Sequence, residues 1–148
     1  MKQEDKDLLL KDLCARLPYS VKILVQSWDE REMEYTDRVD TLYSVNGDDY
    51  INTTNEDYDF CVEDIKPYLF PISSMTEEQK IECFKGTDIE LDEYNEIWST
   101  FPISNSDIVL TNLDDWLKVI NWLNKNHFDY RGLIKKSLAL DATNLDIY

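Results

Sequence analysis

The chain has 148 residues and a mass of 17.5 kDa, the span of one domain covering residues 1–148. Its 31 acidic and 15 basic residues give a net charge of −16 and a pI near 4.2. Nine Tyr, five Phe and four Trp exclude a disordered acidic tail, and only three Gly and four Pro exclude a collagenous or proline-rich chain.

In chain order, Leu9, Leu10, Leu13, Cys14 and Leu17 recur at helical spacing and predict a helix over residues 4–16. Pro18 ends it by restricting Leu17. Val21, Ile23 and Val25 alternate with Lys22, Leu24 and Gln26, a period-two strand. Beyond the charged connection Asp29-Glu30-Arg31-Glu32, a second strand runs from Met33 to Val45 with an interruption near Asp40. Asn46-Gly47 predicts a two-residue hairpin of type I′, returning through Asp48 to Thr53. Phe60 to Val62 and Tyr68 to Phe70 are short strands, and Pro67 and Pro71 place the second of them at a sheet edge.

Thr76 opens the next helix, with Gln79 at capping-box spacing and Glu77 and Glu78 near the positive end of its dipole. Ile81 and Phe84 form its apolar face, and Gly86 ends it. A short amphipathic helix is expected over 90–99, stopped by Pro102. The strongest helix follows, capped by Thr111 or Asn112. Leu113, Trp116, Leu117, Ile120 and Leu123 lie on one face, widened by Val119 and Trp122. His127 to Gly132 reads as a turn, with Leu133 to Leu140 after it. The fold class expected is α+β: a short antiparallel meander packed by three or four helices in a single domain.

Charge is unevenly spread. Residues 29–64 hold thirteen acids and two bases, a net of −11, and residues 77–96 hold eight acids and two lysines, a net of −6. Thr111 to Leu140 is slightly basic, so the molecule is electrostatically two-sided. Direct nucleic-acid binding is disfavoured, because a binder must neutralise phosphates. A dense carboxylate face is instead compatible with imitation of nucleic acid, against the plainer account that acidic surfaces serve solubility.

Cys14, Cys61 and Cys83 are odd in number and widely spaced, without a CxxC pair. They read as buried free thiols in a reducing compartment. Leu8 to Leu10 fall far short of the roughly 7–15 apolar residues of a signal peptide, and no run approaches a membrane span. The expectation is a cytoplasmic protein without cofactor or metal.

No phosphate-cradling glycine loop and no Gly-x-Ser-x-Gly elbow is present. Asp88-x-Glu90-x-Asp92-Glu93 lacks the glycine and the final glutamate of a calcium loop. His127 is the sole histidine, so a histidine-dependent mechanism must use it; the structural alternative is a charged ring complementing a helix end. His127, Asp129, Tyr130 and Arg131 place a titratable ring, a carboxylate, a phenol and a guanidinium within five positions, before a permissive Gly132. These four, with Arg16 and Tyr19, are the candidate ligand or partner residues, and Arg131 has the fork that small anions need. Tyr19, Tyr130 and Arg131 fall in turns and are expected to be exposed. The structural alternative is a clasp in which Arg131 pairs with Asp129 or a helix carbonyl and Tyr130 packs inward.

Three stretches carry a resemblance: Asp12-Leu13-Cys14-Ala15-Arg16-Leu17-Pro18-Tyr19, residues 66–78 from Lys66 through Met75 to Glu78, and residues 122–134 from Trp122 to Ile134. They resemble the signature segments of a family of small proteins of gut bacteria, their phages and mobile elements. The resemblance implies gene context rather than a mechanism, and the acidic 29–64 stretch does not share it. The reading is a non-catalytic cytoplasmic accessory or interaction protein of phage or mobile-element origin, with a protein partner and neither nucleic acid nor membrane. Two alternatives stand beside it. One is an acidic anti-defence protein that mimics nucleic acid or sequesters a small anionic signal molecule; the other is a small enzyme using His127.

Overall fold

The computed structural model describes residues 1–47, 49–55, 59–88 and 113–148. Helix α1 (Gln3–Arg16) buries Leu9, Asp12, Leu13 and Arg16, which follow one another at i, i+3, i+4 and i+7. That stripe is offset from the purely apolar one expected. Cys14 is exposed, while Asp12 and Arg16 turn inward as a bonded pair. Cys61 is exposed too, so only Cys83 is a buried thiol, pushed up to about 12 by burial. A 3₁₀ turn over Leu17–Tyr19 ends with Ser20 in the left-handed region, redirecting the chain into the sheet.

Strands β1 (Lys22–Asp29) and β2 (Glu34–Val45) pair antiparallel from Lys22↔Thr41 to Asp29↔Glu34. β2 continues through Asp40, and its irregularity falls between Leu42 and Ser44. Asp40 is tolerated because its buried carboxylate accepts from Thr41 N–H (2.7 Å), Asn55 Nδ2 (2.7 Å), Thr54 Oγ1 (3.1 Å) and Arg38 Nη2 (3.0 Å). Burial pushes this carboxyl up, and the hydrogen bonds outweigh it and hold the group below its ordinary value.

β3 (Tyr50–Thr53) follows a turn closed by Asp49 N–H donating to Asn46 C=O. This corrects the two-residue type I′ hairpin. Asp49, not Gly47, has the positive φ, and the connection runs from Asn46 to Asp49. A left-handed residue at the end of a longer loop gives the same reversal that a primed turn gives with two residues.

β4 (Phe60–Cys61) pairs with β3. β5 (Lys66–Pro71) is internal, correcting its expected edge position. It runs antiparallel to β1 and parallel to both β6 (Phe128–Asp129) and β7 (Leu140–Asp141). The prolines fit because Pro67 meets β1 within a ladder only two pairs long and Pro71 is the last residue of the strand. The sheet order is β4-β3-β2-β1-β5-β6, with β7 also on β5. This is an α+β fold in which helices pack a mixed sheet.

Helix α2 (Glu77–Cys83) opens on the expected capping box between Thr76 and Gln79, and Gly86 reverses the chain at φ +80°. Its inward residues are Cys83 and Phe84; Ile81 is exposed, against expectation. In α3 (Leu113–Lys125), Trp116, Val119 and Leu123 are buried while Leu113 and Leu117 face out. The helix is rotated from its apolar centre because Asp115 is drawn inward, accepting from Asp88 N–H (3.1 Å) and Lys118 Nζ (2.8 Å). The expected helix over 90–99 and its Pro102 stop, the caps Thr111 and Asn112, and most of the calcium-like run lie outside the described residues.

Two cores result. One packs Leu9 and Leu13 of α1 on the inner sheet face at Ile23, Val25, Leu42 and Ile51. The other joins α2 and α3 to β6 through Phe84, Trp116, Leu123, Phe128 and Tyr130. No helix among the described residues is long and apolar enough to cross a membrane.

Candidate functional site

Five of the six candidate residues gather where α1, the end of α3 and β6 meet. Arg16 is wholly buried, and so is Asp12. Their pair is bidentate, Nε to Oδ2 at 2.7 Å and Nη2 to Oδ1 at 3.2 Å. Arg16 also donates to the carbonyls of Phe128 (2.8 Å) and Asn124 (3.4 Å), tying α1 to the end of α3 and to β6. The Arg131 guanidinium reaches Asp12 as well, at 3.2 Å, and donates from Nη2 to the Tyr130 hydroxyl at 2.7 Å. The Tyr130 ring lies between the two cations, 5.7 Å from the Arg16 guanidinium carbon and 4.7 Å from that of Arg131. Burial raises the Tyr130 phenol above its ordinary value, so it stays protonated.

This is a clasp, with different partners from those foreseen. Arg131 pairs with Asp12 rather than with Asp129, while Tyr130 packs inward as the clasp expects, not exposed in a turn. Asp129 instead accepts from the backbone N–H groups of Leu133 (2.9 Å) and Ile134 (2.8 Å), shaping the reversal at Gly132, whose φ is +73°. Tyr19 is half-buried in its 3₁₀ turn and belongs to no such network among the interactions described. The partner that sequence reasoning missed is Asp12. Its signal was present: charges at positions 12 and 16 share the helical face of Leu9 and Leu13.

His127 ends α3 in the left-handed region at φ +60°, its N–H donating to Asn124 C=O. Its ring is 8% exposed and stacks on Tyr148 with centroids 4.1 Å apart. Nδ1 is enclosed without a hydrogen-bond partner. Burial, helped by the charge of Arg16, lowers the imidazole to about 4. His127 is therefore neutral near pH 7, which corrects the charged ring complementing the helix dipole.

A cleft of about 430 Å³ opens beside it, walled by Phe70, Phe128, His127 and Tyr148, with Gln79 and Lys125 at its rim. Tyr130 and Arg131 do not line it. Among the described residues no group of three or more His, Cys, Asp or Glu side chains is placed to hold a metal ion. No family model, curated protein or solved structure matches the chain.

The opposite side of the sheet carries a second feature. By strand alternation, Tyr35, Asp37, Val39 and Thr41 of β2 share the outer face with Trp28, Gln26, Leu24 and Lys22 of β1. Trp28 and Tyr35 meet edge to face at 5.2 Å, and Tyr35 is 69% exposed. Tyr43 is 71% exposed, and Val39 and Tyr50 are exposed as well. Of the two strands bearing this face, β2 lies within the acidic 29–64 stretch, and Glu30, Glu32 and Glu34 are exposed around the β1–β2 turn.

Proposed function

We propose that this protein is a cytoplasmic interaction module whose outer sheet face, centred on Trp28, Tyr35 and Tyr43, docks a partner protein with a basic surface. The single observation that carries the reading is that face. Large rings stand exposed on paired strands, Trp28 against Tyr35 near the β1–β2 turn and Tyr43 at the irregularity of β2, with carboxylates exposed around the turn. Aromatic residues of this kind dominate protein interfaces and stack favourably with arginine, and the acidic frame steers a cationic partner. Nucleic-acid mimicry would call for carboxylates in a regular array across the face, where between Tyr35 and Tyr43 this one carries Gln26, Leu24, Lys22, Val39 and Thr41 with one carboxylate, Asp37. Enzymatic use of His127 would call for an orienting acid, and none of its described contacts is a carboxylate. A phage or mobile-element setting rests on the resemblance of the three sequence stretches.

The test is an affinity capture from the native host with the wild-type chain and a Tyr35→Ser/Tyr43→Ser variant. The expected partner has a basic surface, is lost from the variant while its melting midpoint is kept, and dissociates as salt rises. Equal capture by both proteins sinks the reading.

A further inference from the structure

The His127 cleft is made of different material from the rest of the surface. In a chain of net charge −16, none of its lining residues is Asp or Glu, and one is a lysine. Four lysines elsewhere hold carboxylates, Lys6 with Asp49, Lys80 with Glu77, Lys118 with Asp115 and Lys136 with Asp5. Lys125 has no ion pair among the described residues. Its polar neighbours are partly committed, and what remains is selective. Gln79 spends Oε1 on Thr76 N–H and keeps its amide donor, while Asn126 spends Nδ2 on the Trp122 carbonyl and keeps its acceptor. Four rings supply the apolar walls. At about 430 Å³ the space is within the range of small-molecule sites. It lies beside the β5/β6 pairing, where Phe70 faces Phe128.

We infer that this cleft binds a small anion carrying a flat ring, the ring lying among Phe70, Phe128 and the His127–Tyr148 stack and the anionic group meeting Lys125 and the Gln79 amide. The site is independent of the sheet face proposed above. With Nδ1 enclosed, Nε2 is the His127 nitrogen left to meet the ligand. An anion bound beside the ring favours its protonated form, so occupancy raises the proton affinity of His127.

The sole histidine makes the test direct, because its ring protons give unambiguous NMR signals. Adenosine 5′-monophosphate and indole-3-acetate serve as phosphate and carboxylate probes, with adenosine and indole as their uncharged counterparts. The expected result is a saturable shift of the His127 signals with at least one anionic probe, and a titration midpoint of the ring moved up in its presence. The anion whose affinity most exceeds that of its own uncharged counterpart identifies the anionic group. Binding weakens roughly fivefold or more in Lys125→Gln, whose exposed side chain leaves the melting midpoint unchanged. Three results each overturn the inference: no shift with either anion at millimolar concentration, equal affinity for the uncharged counterparts, or equal affinity in Lys125→Gln.

Discussion

His127 and Arg16 are each enclosed, and each has a cost that a measurement can read. For His127 the ordinary value is 6.5 and the folded value about 4, so between these the unfolded chain binds the proton and the native chain does not. Stability is then fully present above about pH 6.5 and falls as pH drops toward 4. The loss approaches roughly 3 kcal/mol at about 1.4 kcal/mol per unit. His127→Asn suits the left-handed backbone and does not titrate, so its unfolding free energy in urea should be flatter across that window. A wild-type profile that is flat from pH 7 to 5 contradicts the buried neutral ring. Asp40 acts lower on the scale. Its carboxyl is held below its ordinary 3.8, so its contribution is present above that value and is lost only as pH falls beneath it. Arg16→Met removes the cation from an enclosed pair and strips donors from two carbonyls. A loss of about 3–5 kcal/mol is expected in denaturant unfolding, because Asp12 stays buried with only Arg131 beside it. A loss below about 1 kcal/mol would mean that water reaches Asp12.

At the scale of elements, α3 separates what periodicity reveals from what it conceals. Its existence, span and first-turn acids follow from local pattern, as does the capping box of α2. The rotation of α3 does not. Leu113 and Leu117 have the same hydropathy as the buried positions, and a tertiary bond from Asp88 N–H to Asp115 turns the helix away from them. Trp116→Ala should therefore cost about 3–5 kcal/mol, whereas Leu117→Ala, at an exposed position, should stay within about 0.5 kcal/mol. Equal losses at the two positions would restore the apolar-centred face. The same physics explains the other misplacements. β5 is internal because its neighbours arrive from 128–129 and 140–141, parallel pairings that no local signal announces. The site was legible in part: Tyr130 and Arg131 meet, while His127 and Asp129 serve other contacts, and the carboxylate that Arg131 reaches comes from α1, more than a hundred residues earlier. Only inward-facing charges at 12 and 16 hinted at that. The stretches 12–19, 66–78 and 122–134 meet here, α1 with 127–131 through Asp12 and Arg16, and β5 with β6 through Phe70 and Phe128. Their distinctive residues hold the fold together at this junction.

Over the whole molecule, charge opposes folding in a way that salt can expose. The net −16 is concentrated in the stretch from 29 to 64, while the surface pairs of Lys6, Lys118 and Lys136 each neutralise little of it. Like charges held on one folded surface repel one another more than they do in the expanded unfolded chain. Salt shortens the reach of that repulsion, from about 30 Å at 0.01 M to about 10 Å at 0.1 M, and leaves the enclosed Asp12–Arg16 pair almost untouched. The melting midpoint at pH 7 should accordingly rise across that range, equally in sodium and potassium chloride. A Glu30→Gln/Glu34→Gln variant, which removes two charges around the β1–β2 turn, should melt higher at low salt and respond less. Docking of a basic partner on the outer sheet face has the opposite sign, weakening over the same salt interval because attraction is screened. Stability and binding thus diverge as salt is added, and a midpoint that falls with salt instead would show that attractive surface pairs outweigh the repulsion.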